Sequence, residues 1–445
     1  MPDRVLIMGL GSFGGGEGAA RYFAQRGDHV TVTDLRSAEA LAAPLARLAD
    51  LPAVRYVLGR HDEADFLTAD RLVVSPAVPD ADRFTALSRS RGVAIDTEMG
   101  LFLERCPAPV LAITGSNGKS TTTRLLHALL DAAGLRPYLA GNIGISLLPV
   151  VDDLDPLRPV VLEISSFQLA RLAGRDPLFR GAILTNLTPN HLDRHPDFAA
   201  YVRAKAVVFE RLERQGVGVF NADDPESQGI AVRFPEALGV SSAEADAGVP
   251  ALSFLPGPTN RMNFLQALTL ARRFTGDPLV AAAAHVAASF RGIEHRLEVF
   301  AERSGVLFVN DSKATTPEAT HAAVGAFDRP IHLIAGGYDK GLAADLLLTD
   351  FSRCRSVHLI GATAGRLAEL FRARGGRAFV HDSLDAAVAA AAAAAQPDDV
   401  VLLSPAHPSY GLFSDYRARG RAFRSRVIAL GQVACFPPAL SETGD

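Results

Sequence analysis

Twice in this chain a short aliphatic run ends in glycines and passes straight into a helix-forming stretch. Val5-Leu6-Ile7-Met8 leads into Gly9-Leu10-Gly11-Ser12-Phe13-Gly14, and Val110-Leu111-Ala112-Ile113-Thr114 leads into Gly115-Ser116-Asn117-Gly118-Lys119-Ser120. Strand, glycine turn and helix in that order open a parallel βαβ unit, whose helix N-terminus turns backbone N–H groups toward an anion. Val/Ile/Leu runs alternate with Ala/Leu/Arg-rich stretches from end to end, so the whole chain reads as α/β with parallel sheets.

A length of 445 residues predicts two or three domains. Three blocks are expected. The first, residues 1–106, has strands near 5–8, 29–33 and 71–74 and fades at Cys106-Pro107-Ala108-Pro109. The second, 107–291, has strands near 110–114, 160–164, 182–185 and 216–221, a loop over 241–258 and a long helix at about 263–274. The third, 292–445, has strands near 297–300, 307–310, 331–335, 357–360 and 400–404, with an alanine-rich helix over 386–395.

A net charge of −4 argues against nucleic acid and anionic membranes as partners. Cys106, Cys354 and Cys435 have no metal-ligand spacing. No apolar run approaches the length of a membrane span, and the N-terminal one breaks into glycines too early for a signal peptide. A cytoplasmic protein without membrane insertion is the expectation.

The first glycine turn fits G-x-G-x-x-G, and Asp34 lies 20 residues beyond Gly14. Alone, this is the dinucleotide fingerprint and predicts a dehydrogenase. The second turn, G-x-x-G-K-S, is one a dehydrogenase does not need. Its glycine amides suit phosphate oxygens, Lys119 suits the β- and γ-phosphates, and the Ser120 hydroxyl suits Mg²⁺. An ordinary turn also contains Gly-Lys-Ser, but strand, glycines, lysine, hydroxyl and helix in one sequence favour a nucleoside triphosphate.

Glu163 puts a carboxylate in a buried strand, where it needs a cation, a proton or hydrogen bonds from a neighbouring loop. His191, in Thr185-Asn-Leu-Thr-Pro-Asn-His-Leu-Asp-Arg-His, follows the next strand at the ligand-binding edge of such sheets. Lys205 lies on an apolar helical stretch and, from the residues alone, reads as a snorkelling lysine.

Ten motifs in order carry a resemblance: Thr114-Gly-Ser-Asn-Gly-Lys-Ser-Thr, Gly141-Asn-Ile-Gly, Leu162-Glu-Ile-Ser-Ser-Phe-Gln-Leu, the Thr185–His195 stretch and Ala204-Lys205. They continue with Val219-Phe-Asn-Ala-Asp-Asp, Glu294-His-Arg-Leu-Glu-Val, Asn310-Asp-Ser-Lys-Ala-Thr, Gly336-Gly-Tyr-Asp-Lys-Gly and Ser404-Pro-Ala-His-Pro-Ser. Over essentially its whole length the chain resembles the Mur ligases, the ATP-dependent amide-forming family of peptidoglycan precursor synthesis. Within that family, three of the stretches favour the member that adds D-glutamate.

The resemblance implies three domains: a Rossmann-like N-terminal domain holding a UDP-sugar, a central P-loop ATPase-like α/β domain, and a C-terminal Rossmann-like domain bringing the amino acid. It implies small-molecule substrates, UDP-N-acetylmuramoyl-L-alanine and D-glutamate, and a monomer. Gly11, Ser12, Phe13, Gly14, Asp34, Arg36 and Ser75 fall where the family binds the UDP-sugar. Thr114, Gly115, Ser116, Asn117, Gly118, Lys119, Ser120, Thr121, Asn142, Asn263, Arg296 and Asp311 fall on the ATP site.

Ser120, Glu163, His191 and Lys205 match metal-shell positions for two Mg²⁺, Lys205 as a carbamate formed with CO₂. Lys119, Lys205, His191 and Lys313 match catalytic positions, and Thr315, Lys340, Ser409 and Tyr416 the D-glutamate site. One departure is local: relatives usually read His-Asn-x-x-Asn where this chain reads Met262-Asn263-Phe-Leu-Gln266. Another amide ligase of the group, adding a different amino acid or extending folate with glutamate, a kinase stopping at the phosphorylated acceptor and a non-catalytic nucleotide-binding protein are the rival readings.

Overall fold

The computed structural model describes residues 2–11, 14–79, 81–191, 194–339, 351 and 353–441. Three sheets organise the chain. The first holds β1 (Arg4–Met8), β2 (His29–Asp34), β3 (Arg55–Leu58), β4 (Arg71–Val74) and β5 (Ala94–Asp96), ordered β3-β2-β1-β4-β5 with every pairing parallel.

The second holds β6 (Val110–Thr114), β7 (Tyr138–Gly141), β8 (Val160–Glu163), β9 (Phe179–Leu184), β10 (Leu212–Asn221) and β11 (Leu238–Val240), ordered β11-β10-β9-β6-β8-β7 and again all parallel. The third holds β12 (Glu298–Arg303), β13 (Val306–Asn310), β14 (Ile331–Ala335), β15 (Cys354–Leu359), β16 (Ala378–Val380), β17 (Val400–Leu403) and β18 (Ala434–Cys435), ordered β16-β15-β14-β17-β13-β12-β18. Among the described strands of this sheet the β12–β13 and β12–β18 pairings are antiparallel and the others parallel.

The chain up to Val249, with Met262–Ala283, forms one compact unit holding the first two sheets. Pro250–Arg261 and the chain from Ala284 on form a second, built on the third sheet. Strands covered on both faces must be apolar throughout. Every residue of β6, β8, β14 and β17 is accordingly buried. One continuous apolar core joins the two sheets of the first unit, from Val5 and Val32 to Val160 and Leu184.

Strand order fixes where ligands go. In the first sheet the chain leaves central β1 for β2 on one side and returns as β4 on the other, opening a crevice beyond the carboxyl end of β1. In the second sheet β6 lies between β9 and β8, and the crevice falls beyond Thr114. Both glycine turns sit at such points.

Some boundaries move. The helix expected at 263–274 spans Pro258–Thr275, with proline in its first turn where a missing N–H costs nothing. The expected loop over 241–258 contains a helix, Ser242–Gly248, closed by a reciprocal Ser241–Glu244 capping box. Among the described residues no helix is long and apolar enough to cross a membrane.

Candidate functional site

The first glycine turn is a left-handed one. Gly9, Gly11 and Gly14 have φ of 89°, 75° and 80°, and Gly14 caps the helix Gly15–Gln25. A side chain at Gly14 would bring its Cβ within 2.9 Å of the Gly144 carbonyl, so glycine is demanded by strain and by space. Asp34, at the end of β2, accepts from the Leu10 N–H at 3.0 Å and from Arg36 Nη2 at 2.9 Å. Burial pushes the Asp34 carboxyl up, but the Arg36 guanidinium and amide and the Leu10 N–H outweigh it and hold it below the ordinary carboxylate value.

Beyond this turn opens a cavity of about 740 Å³. Gly11, Asp34, Arg36 and Ser75 line one end, and Asn142 and His191 the other. Glu98 and Ser146 form part of its wall, with Ser146 Oγ donating to Glu98 Oε1 at 2.5 Å. Burial raises Glu98 to about 7 against the lowering effect of that hydrogen bond. Ser12 and Phe13 lie outside the described residues.

The second turn is tighter. Gly118 (φ 81°) caps the helix Lys119–Ala132, and a Cβ there would lie 2.5 Å from Asn263 Oδ1, which brings Asn263 to the turn. A Cβ on Gly115 (φ 145°) would collide with Thr185 Oγ1. Lys119 Nζ curls back to donate to the Gly115 and Ser116 carbonyls at 3.0 and 2.9 Å. Ser116 and Asn117 are tied to the loop after β9: Thr188 N donates to Ser116 Oγ at 2.9 Å, and Asn117 N donates to Asn186 Oδ1 at 3.0 Å. Ser120 and Thr121 form the next two positions of the helix.

Two buried charged groups flank this turn. Lys205, 2% exposed, donates to Thr114 Oγ1 at 3.2 Å and sits 4.9 Å from the centre of the Tyr201 ring. Burial first, and then the nearby Lys119 charge, push its ammonium well below the ordinary lysine value, against the pull of Glu163. The carboxylate of Glu163, at the end of β8, accepts from Asn142 Nδ2 at 3.0 Å through Oε1. Its Oε2 is buried with no hydrogen-bond partner among the described residues. An orphaned carboxylate oxygen beside a phosphate-type turn fits a cation, so the residues present suit a metal. Among the described residues no three His, Cys, Asp or Glu side chains gather with metal-holding spacing.

His191 is exposed at φ 54°, its ring edge-on to Phe167 at 5.3 Å, and it lines the far end of the first cavity. Asn142 therefore belongs to both places: it lines that cavity and holds Glu163.

The second unit has its own polar cluster beyond the carboxyl ends of β13 and β17. Asp311 accepts from Leu297 N at 3.1 Å and from Ser404 Oγ at 2.8 Å; burial raises it to about 7, against those bonds and the Arg296 charge. Lys313 Nζ donates to the Tyr416 hydroxyl at 2.9 Å. Ser409 is buried and Thr315 half-buried. Lys340 lies outside the described residues.

Three polar side chains in these clusters escaped the sequence reading. Tyr201 bonds Ser116 Oγ at 2.9 Å and lies one helical turn before Lys205. The signal was available: two polar residues at i and i+4 on an otherwise largely apolar helix. Gln266, the departure in the 262–266 stretch, donates to the carbonyls of Leu184 and Thr185 at 3.3 and 3.4 Å. Arg124 is buried near Glu163; desolvation lowers its proton affinity and outweighs the raising effect of the Glu163 charge.

Comparison with known proteins gives one picture. Residues 3–96 match the family model of the "Mur ligase MurD-like, N-terminal domain", 113–248 that of the "Mur ligase middle domain", and 295–407 that of the "Mur ligase, glutamate ligase domain". A protein named UDP-N-acetylmuramoylalanine–D-glutamate ligase from Roseiflexus sp. is 40% identical, covering 96% of this chain and 98% of the relative. One of the same name from Geobacter metallireducens is 39% identical over 96% and 97%. Among solved structures, UDP-N-acetylmuramate-alanine ligase MurC from Thermotoga maritima superposes with a TM-score of 0.55 at 18% identity, over 96% of this chain and 99% of that one. A pseudomurein peptide ligase type C from Methanothermus fervidus gives 0.54 at 14%, over 96% and 100%. At those identities the likeness is one of fold.

Proposed function

The chain belongs to the Mur ligase family, and from that premise we propose that it uses ATP to join the amine of D-glutamate to the alanyl carboxylate of UDP-N-acetylmuramoyl-L-alanine. The observation that carries this reading is the cavity running from the first glycine turn to Asn142 and His191. A nucleotide diphosphate anchored at one end of it would present a carboxylate at the other, beside the second turn.

In the proposed reaction the substrate carboxylate oxygen attacks the γ-phosphorus of ATP. The bond to the β-phosphate oxygen breaks, and ADP leaves. The amine of D-glutamate then adds to the acyl phosphate carbon, loses a proton, and the tetrahedral adduct expels inorganic phosphate. A free carboxylate resists amines because its leaving group would be oxide, and phosphorylation removes that obstacle.

Gly11, Gly14, Asp34, Arg36 and Ser75 hold the UDP end in this reading. The 114–121 turn, Asn142 and Asn263 hold ATP, with Lys119 turning from its loop carbonyls to the phosphates. Mg²⁺ supplies charge neutralisation for the phosphates when bound. Ser120, Glu163, His191 and a carbamylated Lys205 would hold two such ions. Lys205 is prepared for that modification, because a neutral amine adds CO₂ with loss of a proton and burial favours the neutral form. In the second unit Arg296 and Asp311 meet nucleotide, Lys313 the transferring phosphoryl group, and Thr315, Lys340, Ser409 and Tyr416 the amino acid.

The test is mass spectrometry of the product from ATP, UDP-N-acetylmuramoyl-L-alanine and one amino acid at a time. One amide and one ADP per turnover are expected with D-glutamate. Preference for another amino acid, or a phosphorylated acceptor that persists when D-glutamate is present, defeats the reading.

A further inference from the structure

Arg419 is the largest fully buried side chain among the described residues, at 1% exposure. Most other large side chains buried that deeply are aliphatic or aromatic, and a buried guanidinium normally faces a carboxylate. Here none does among the described residues. Desolvation alone moves its pKa, down to about 10, so the group stays protonated at neutral pH. A side chain this expensive to bury is retained for what its N–H groups hold.

They hold two loops. Nε donates to Ser312 Oγ at 3.0 Å and Nη2 to the Ser312 carbonyl at 2.9 Å, while Nη1 donates to the His407 carbonyl at 2.9 Å. Ser312 precedes Lys313 in the loop after β13, and His407 lies two residues before Ser409 in the loop after β17. One turn earlier on the same helix, the Tyr416 carbonyl accepts from Ser312 Oγ at 2.8 Å and its hydroxyl takes Lys313 Nζ. A third loop closes on the bracket: Gly337 lies where a Cβ would collide with the Pro408 carbonyl and come within 3.4 Å of Arg419 Nη1. The planar fork of arginine spans acceptors on two segments at once, which the point charge of lysine does not.

We propose that Arg419 is a positioning residue for the amino-acid half of the reaction, fastening the loop that carries Lys313 and Thr315 to the loop that carries Ser409 so that Thr315 and Ser409 meet D-glutamate in register. The inference rests on the ligase reading above. It also gives that edge of the sheet a buried positive charge that faces no carboxylate among the described residues, suited to an amino acid that carries two carboxylates.

Steady-state kinetics of Arg419→Lys and Arg419→Met, each substrate varied in turn, provide the test. Both variants should raise the KM for D-glutamate about tenfold and lower kcat, with the KM values for ATP and the UDP-sugar within about twofold of wild type. Ser312→Ala removes one acceptor of the bracket and should show the same split at about threefold; it decides the matter if an Arg419 variant is recovered unfolded. An unmoved D-glutamate KM, or three KM values rising together, overturns the inference. Wild-type protein that does not turn over D-glutamate defeats the ligase reading instead, so the two failures are told apart.

Discussion

The two glycine turns of the first unit use one backbone device for two purposes. Each follows a central parallel strand, each relies on left-handed glycines, and each ends in a glycine that caps a helix. Their surroundings differ. The first opens into a roomy cavity, and its acid, Asp34, is already neutralised by Arg36. The second is closed on itself, its lysine folded onto its own carbonyls between a buried amine and a half-satisfied carboxylate. Amides at a helix end suffice to grip a diphosphate. Moving a phosphoryl group needs mobile cationic charge and a place for a metal; of the two turns, the second has a lysine and, beside it, a carboxylate oxygen with no hydrogen-bond partner among the described residues.

The largest effect should come from removing that charge. Lys119→Ala is expected to cut turnover by about a thousandfold or more, since no other lysine sits in the turn. Affinity for the UDP-sugar, measured by calorimetry without ATP, should stay within about threefold of wild type. Comparable loss of both would mean that the two turns are not separate sites.

Next come the glycines themselves. Alanine in a left-handed conformation costs about 1–2 kcal/mol before any crowding. Gly118→Ala must also displace Asn263, and Gly14→Ala must part the turn from the Gly144 carbonyl. We expect the first to raise the ATP KM and the second the UDP-sugar KM, each about tenfold and each sparing the other substrate. A crossed pattern would reverse the assignment of the turns.

These contrasts were only partly legible in the sequence. Both turns were, because left-handed backbone forces glycine and a lysine and hydroxyl at fixed offsets are hard to mistake. β6, β8, β14 and β17 were legible too, since burial on both faces leaves unbroken aliphatic runs. β3, β5, β16 and β18 were not: they are short, lie at or beside sheet edges, and expose residues such as Arg55, Ala94, Phe379 and Cys435. Half of β10 was missed for a related reason, since its pairing with β9 breaks register between Leu212 and Val217. Of the site, Lys205 read as a surface lysine because its burial depends on Thr114 and Tyr201, which only the folded chain brings to it. Arg419 gave no signal at all, since a buried arginine in a helix of arginines looks like its solvated neighbours.

A smaller effect sharpens the first turn alone. In Arg36→Ala the Asp34 carboxylate loses the guanidinium that offsets its burial. The UDP-sugar KM should rise about fivefold while the ATP KM holds. If both shift, Arg36 acts on the fold of the unit and not on one ligand.

The smallest expected effect separates two glutamates of this unit. Glu163 has a buried oxygen with no hydrogen-bond partner among the described residues, whereas Glu98 in the first cavity is kept from ionising by burial, its proton held up to about 7. A folded-state value raised above the ordinary 4.5 means that Glu98 contributes fully below that pH and loses its contribution as pH climbs through about 7. Glu98→Gln keeps an acceptor for Ser146 and has no proton to lose. Its melting temperature should therefore gain on wild type between pH 5 and pH 8, by a few degrees at most, since the shift is worth about 3 kcal/mol as an upper bound. Parallel melting curves across that range would mean that the cavity hydrates Glu98 as freely as bulk water does, and the first turn would then differ from the second in side chains but not in dryness.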